Sequence, residues 1–221
     1  MSKVVCIISG GMDSALAAKI AQHNGDDIIA VHFNYGQRTE AKELFAFRKI
    51  ASHVDAVASY EIDLPFFGDI GTSALIDKDI DIPSEGVEAG VPVTYVPFRN
   101  GIFLSIATAI AEKHGAKALY IGVVEEDSSG YPDCRASYIM QMQTAINLGT
   151  KEETNIEIKM PLVHLDKSQI VAKALALGVP LIDTWSCYSA EDKACGVCDS
   201  CRLRLRGFEK AGVRDPILYK R

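Results

Sequence analysis

No run of 18 or more apolar residues occurs in the 221-residue chain, so no segment reads as a membrane-crossing helix. A signal-peptide pattern is missing too, because Lys3 precedes an apolar run that is short and strand-like. These absences give the expectation of a cytoplasmic protein with no membrane partner. Positive charge is scarce: 23 Lys and Arg face 29 Asp and Glu, a net charge of -6. That argues against nucleic acid as the main partner, since duplex binders carry a basic field. The exception is the stretch 202–221, with seven Lys or Arg and two acids. The histidines at 23, 32, 53, 114 and 164 show no metal-ligand spacing, and neither an internal repeat nor a low-complexity segment is present. Two phosphate loops are also excluded. A Walker loop needs Lys before its closing Ser or Thr, and Asp13 stands there; a dinucleotide fingerprint needs three spaced glycines, and only Gly10 and Gly11 are available.

What is present is apolar patterning, 48% of the residues, enough for one α/β domain over 1–184 with a small appendage at 185–221. Strands are expected at 3–9, 27–34, 58–64, 118–124 and 156–163. Helices are expected at 13–23, 38–54, 100–115, 135–148 and 166–177, the last capped by Asp166. This alternation predicts a parallel sheet of about five strands with helices on both faces, a Rossmann-like architecture. Residues 65–97 break the rhythm with four prolines and read as a covering lid or as a disordered loop.

"SGGMDS" (9–14) lies between the first strand and the first helix. Such a turn directs backbone N–H groups, the Ser9 and Ser14 hydroxyls and a helix N-terminus at one point, which suits a phosphate. Ser9, Gly10, Gly11, Met12, Asp13, Ser14 and Ala15 are therefore the expected phosphate-binding run. Asp13 in place of the Walker Lys points to Mg²⁺ beside the phosphates.

"WSCYSAEDKACGVCDSC" spaces Cys187, Cys195, Cys198 and Cys201 as C-x7-C-x2-C-x2-C. Two overlapping knuckles and a distant thiolate can close a tetrahedron around a structural zinc; an iron–sulfur cluster and a redox pair are the alternatives. Asp199 is placed to open the helix carrying Cys201. Cys6 reads as a small core residue, and Cys134 as either a packed or a reactive thiol.

Other groups cluster where strands end, the edge at which open α/β sheets bind ligands. Tyr35, Gln37 and Arg38 follow the second strand. In "YVPFRN", Arg99 can pair with a phosphate or carboxylate while Asn100 caps the next helix. In "GYPDCR", Asp133 can accept from a purine-like N–H pair and Arg135 can neutralise an anion. Lys167 can reach a β- or γ-phosphate, with a plain surface lysine the alternative.

Taken together, "SGGMDS", "NYGQR", "VPFRN", "GYPDCR" and the cysteine tail resemble the 7-cyano-7-deazaguanine synthase family of PP-loop ATP pyrophosphatases, over nearly the whole chain. The resemblance implies an adenine-nucleotide α-hydrolase-like fold and an ATP-dependent carbon–nitrogen ligase. Its substrates would be ATP, 7-carboxy-7-deazaguanine and ammonia, with AMP and pyrophosphate released through an adenylated acid and then an adenylated amide. It further implies Asp13, Ser14, Arg99 and Arg135 as catalytic groups, and Tyr35, Gln37, Arg38, Asn100 and Asp133 as substrate-binding groups. One structural Zn²⁺ per chain and Mg²⁺ with ATP would be the metals. A PP-loop enzyme that thiolates or ligates a tRNA base is the alternative. The apolar helices around the fourth strand lead to the expectation of a homodimer.

Overall fold

The computed structural model describes residues 2–84, 90–125 and 130–220. Residues 85–89, within the expected lid, and 126–129, in the loop after the fourth strand, lie outside the described residues. The chain runs β1 (Lys3–Ile7), α1 (Met12–His23), β2 (Asp27–Asn34), α2 (Glu40–His53), β3 (Ala58–Asp63), α3 (Phe67–Ile70), α4 (Arg99–His114), β4 (Ala118–Tyr120), α5 (Ala136–Leu148), β5 (Glu157–Lys159), α6 (Lys167–Ala176) and α7 (Asp199–Lys210). The five strands form one sheet in the order β3-β2-β1-β4-β5, every pair parallel. This is the expected doubly covered α/β sheet.

Alternation along the strands decides which helices cover which face. On β1, Val4 and Cys6 join a core with Leu16 of α1, Phe47 and Ile50 of α2, Ile170 and Val171 of α6 and Phe208 of α7. Val5 and Ile7 point the other way, toward Phe103 and Leu104 of α4 and Ile139 of α5. Strands buried on both faces carry apolar residues almost continuously, as "VVCI" and "IIAVHF" do. Cys6 sits in this core, as expected. A capping box closes the start of α6: Asp166 accepts from the Gln169 N–H, and the Gln169 side chain accepts from the Asp166 N–H.

From β1 the chain builds the sheet one way through β2 and β3, then crosses to β4 and β5 on the other side. The turn after β1 is therefore the topological switch point, where the carboxyl ends of β1 and β4 open a crevice.

The described parts of 65–97 are packed structure. Phe67 and Leu75 belong to the core, and Ser73, Ala74, Thr94 and Val96 are buried. The Arg38 guanidinium holds the segment by donating to the carbonyls of Asp77 and Ile80, at 2.6 and 2.5 Å.

The C-terminal residues pack on the sheet domain. α7 lies against α6, and a third apolar cluster joins Trp185, Cys187, Ala194, Cys198, Cys201 and Ile217 to Ala46 of α2. The buried Arg204 pairs with Asp215 at 2.7 Å, and a parallel bridge ties Ala194 to Tyr219.

Candidate active site and metal centre

The opening turn is held by its own hydroxyls. Ser14 Oγ accepts from the Ser9 N–H at 3.1 Å, donates to the Gly11 carbonyl at 3.0 Å and meets Ser9 Oγ at 3.1 Å. Gly10 has φ +93°, and a Cβ there would lie 2.6 Å from the Glu43 carbonyl oxygen, so glycine is required both for conformation and for the approach of α2. Trp185 N–H donates to the Gly10 carbonyl at 2.8 Å from the opposite side.

This turn forms one wall of a cavity of about 270 Å³ at the carboxyl edge of the sheet. Ser9, Gly11, Met12, Asp13 and Ser14 line it, joined by Tyr35, Gln37 and Arg38 after β2, Arg99 and Asn100 of α4, and Lys167 of α6. Residues from distant parts of the chain thus meet as the sequence motifs imply. Gly10 and Ala15 support the turn from outside this lining.

Asp13 Oδ2 pairs with Lys167 Nζ at 2.5 Å, while its Oδ1 is buried with no partner among the described residues. That orphaned carboxylate oxygen is a fitting donor for a hydrated divalent cation carried by a nucleotide. Arg99 donates to the Tyr35 hydroxyl at 2.7 Å, and its guanidinium lies 5.2 Å from the Tyr35 ring centroid and 5.9 Å from that of Phe103. The aromatic stack fixes its direction without neutralising its charge.

One expectation changes, and two expected site residues stand apart from the described cavity lining. Asn100 does not cap α4: the cap position is Phe98, in a left-handed conformation, and Asn100 is already inside the helix. The capping acceptor is Asp133, whose Oδ2 takes the Asn100 N–H at 2.9 Å. Asp133 stands outside the cavity lining, with its Oδ1 buried and without a partner among the described residues. Arg135 is exposed, precedes α5 and does not line the cavity. Cys134 does line it; burial, with the Asp133 charge beside it, pushes its thiol up to about 12, so it stays protonated at neutral pH.

Sequence reasoning missed Glu43, Tyr131, Trp185, Ser186, Tyr188 and Gly122 in this lining. Glu43 carried a faint signal, four residues after Thr39 on the cavity-facing side of α2. Gly122 lets β4 approach the turn, since a Cβ there would stand 2.7 Å from Ser14 N.

The four cysteines converge as expected. The Sγ atoms of Cys187, Cys195, Cys198 and Cys201 all lie within 4.8 Å of one another, and Cys195 and Cys201 are 3.9 Å apart. Four thiolates bound at ~2.3 Å in a tetrahedron stand about 3.8 Å from each other, so the cluster has the dimensions of a closed metal centre. Cys195 N–H points at Cys187 Sγ and Cys198 N–H at Cys195 Sγ, each at 3.3 Å, the donor pattern that steadies thiolates.

The chain is 78% identical to the 7-cyano-7-deazaguanine synthase of Sulfurovum sp. over 99% of both chains. It is 67% identical to the protein of that name in Nitratiruptor sp., again over 99% of both. Among solved structures, a 4-thiouridine synthetase in complex with RNA and ATP shares the fold with TM-score 0.53 at 20% identity, covering 96% of this chain and 50% of the other. No helix among the described residues is long and apolar enough to cross a membrane. Residues 3–212 match the family described as the queuosine biosynthesis protein QueC, and the chain belongs to that family.

Proposed function

We propose that this chain is an ATP-dependent carbon–nitrogen ligase that makes 7-cyano-7-deazaguanine from 7-carboxy-7-deazaguanine and ammonia. The observation that carries the reading is the convergence of the opening turn, Lys167 and the stacked Arg99 on one cavity. A carboxylate oxygen of the acid attacks the α-phosphorus of ATP, and pyrophosphate leaves. Ammonia displaces AMP to give the amide. A second ATP adenylates the amide oxygen, and loss of AMP and a proton leaves the nitrile.

The protein supplies no covalent nucleophile for this sequence. The Ser9–Ser14 turn holds pyrophosphate oxygens with N–H groups and hydroxyls, and Lys167 offers positive charge beside Asp13. Arg99 offsets the negative charges that converge when a carboxylate approaches a triphosphate. Tyr35, Gln37, Arg38 and Asn100 form the wall for the deazaguanine acid, and Asp133 shapes that wall through Asn100. Asp13, through the Oδ1 that has no partner among the described residues, would hold Mg²⁺, which would supply neutralisation of the phosphate charge. Zinc is the ion for the cysteine centre, because four thiolates leave no open position and suit a structural role. Six unpaired cysteines accord with a reducing, cytoplasmic setting. The units 1–184 and 185–221 serve as nucleotide domain and metal-bound appendage. Exposed Phe98, Met140 and Leu148 are the residues a homodimer would cover.

Stoichiometry tests the reading. Removing two oxygens from a carboxylate requires two activations, so two AMP and two pyrophosphate should appear per nitrile. The synthetic amide should yield nitrile with one ATP and no ammonium, read by mass spectrometry. No nitrile from the amide, or ADP in place of AMP, would overturn it.

A further inference from the structure

The cavity contains one carboxylate that the scheme above leaves without a task. Glu43, on α2, lines the cavity beside Gly11 and Trp185, and its own carbonyl closes on Gly10. Thr39 Oγ1 donates to its Oε1 at 2.7 Å, and Gln37 Nε2 donates to its Oε2 at 3.2 Å. Gln37 is itself fixed by accepting the Tyr35 N–H at 2.8 Å. Both oxygens are thus aimed, and each keeps lone pairs for a further donor.

No cation among the described residues lies within ion-pair distance of Glu43. The charged groups around it have other engagements. Glu40 accepts from Gly36 N–H, Lys42 lies over the Trp185 ring, and Arg38 faces the carbonyls of Asp77 and Ile80. Lys167 is paired with Asp13, and Arg99 is stacked on Tyr35. An aimed carboxylate with no cation in ion-pair contact among the described residues, and with Arg99 acting on it only at longer range, suits a small cation with several N–H donors.

Resting on the proposed reaction, we infer that Glu43 forms the ammonium subsite and takes the proton that turns ammonium into the attacking ammonia. Ammonium has no lone pair and cannot attack carbon. One N–H bond breaks, its electron pair stays on nitrogen, and the proton passes to a Glu43 oxygen. The freed pair forms the C–N bond at the adenylated carboxyl carbon, the C–O bond to AMP breaks, and AMP leaves with that pair. A proton on the new nitrogen passes to solvent, leaving the neutral amide, and Glu43 returns its proton to solvent. Burial pushes the Glu43 carboxyl up to about 7, which gives it the basicity for this transfer near neutral pH.

The stages separate the role from a structural one. With acid, ATP and ammonium, Glu43→Gln should lower kcat/KM for ammonium by ~10²-fold or more. With hydroxylamine, which is uncharged at neutral pH, the same variant should form the hydroxamate within about threefold of wild type, because no proton need be removed first. Nitrile formation from the amide, which uses no ammonium, should likewise stay within about threefold. Equal losses in all three assays, or an unchanged kcat/KM for ammonium, would overturn the inference. If Glu43→Gln does not fold, Glu43→Asp keeps the charge but withdraws it. It should raise KM for ammonium while leaving hydroxylamine unaffected, and equal effects on both would overturn the role. Failure of the wild type to convert amide to nitrile strikes the reaction reading itself, and the subsite falls with it.

Discussion

The backbone N–H of Trp185 donates to the carbonyl oxygen of Gly10 at 2.8 Å. Two residues later, the Cys187 carbonyl lies 3.3 Å from Thr39 Oγ1 and shares the single hydroxyl proton that goes chiefly to Glu43 at 2.7 Å. The four-cysteine segment is therefore bonded directly to both walls of the cavity. A metal that fixes Cys187 fixes the strap that presses on the opening turn.

Removing one metal ligand should be felt in two places. Cys198→Ser should lower the thermal midpoint, because binding free energy at a structural thiolate site is part of the folding free energy. It should also raise KM for ATP through the Trp185–Gly10 contact. Metal analysis of wild type should find about one zinc per chain. Zinc-free protein with undiminished stability would contradict both expectations.

Asp13→Ala and Ser14→Ala should each slow pyrophosphate release by at least ~10²-fold, the scale for one preorganised electrostatic group. Their stabilities should differ. Ser14 is buried, and its loss leaves the Ser9 N–H without its acceptor, so Ser14→Ala should also unfold at a lower temperature. Asp13→Ala removes an ion pair at the cavity wall that retains some solvent access and leaves no backbone N–H without an acceptor, so it should hold its fold. Thermal denaturation beside a pyrophosphate-release assay separates the two effects.

Element order was legible because the doubly buried strands are apolar runs and the helices end at glycine or Asn-Gly signals. The strand at 27–34 appears within those bounds. The strand expected at 118–124 pairs only as Ala118–Tyr120, because the chain then bends to let Gly122 pack on the Asp13–Ser14 backbone. That approach is tertiary and leaves no periodic trace. The site was half legible for the same reason: a phosphate turn is a local motif, whereas Glu43, Trp185 and Tyr188 become cavity residues only once α2 and the cysteine segment close around the turn. Asp133 makes a contact that no local motif announces: its carboxylate accepts the Asn100 N–H at the start of α4 across the fold.

Acid should destabilise the protein through His32. This residue of β2 is buried and stacked on Phe47, and its Nδ1 lies 2.9 Å from the Ile8 carbonyl, which makes Nδ1 the protonated nitrogen. Nε2 is buried with no partner among the described residues. Burial, first among the causes, holds its pKa below the usual 6.5. Above pH 6.5 both folded and unfolded chains carry it neutral, and it adds no pH dependence. As pH falls below 6.5, the unfolded chain takes up a proton that the folded one resists, so stability drops. His32→Phe should flatten the fall in thermal midpoint between pH 6.5 and 5; an identical slope in both proteins would refute the assignment.

The pair Arg204–Asp215 should be the most sensitive point of the C-terminal segment. Arg204 is 2% exposed and donates through Nε and Nη2 to both Asp215 oxygens, through Nη1 to Thr184, and through Nη2 to the Leu181 carbonyl. Asp215 in turn accepts from Ile217 N–H and the Tyr219 hydroxyl, which sets the tail that bridges to Ala194 next to Cys195. Replacing Arg204 alone leaves a carboxylate buried without its counter-charge, at a cost of roughly 3–5 kcal/mol. Arg204→Met should therefore shift the urea midpoint strongly downward. The double variant Arg204→Met, Asp215→Leu should recover part of the loss, because two apolar groups bury without the desolvation penalty of an ion. The recovery will be partial, since replacing Asp215 in the double variant takes the acceptor from Tyr219 and Ile217. Equal midpoints for Arg204→Met and wild type would show that the pair carries no stability.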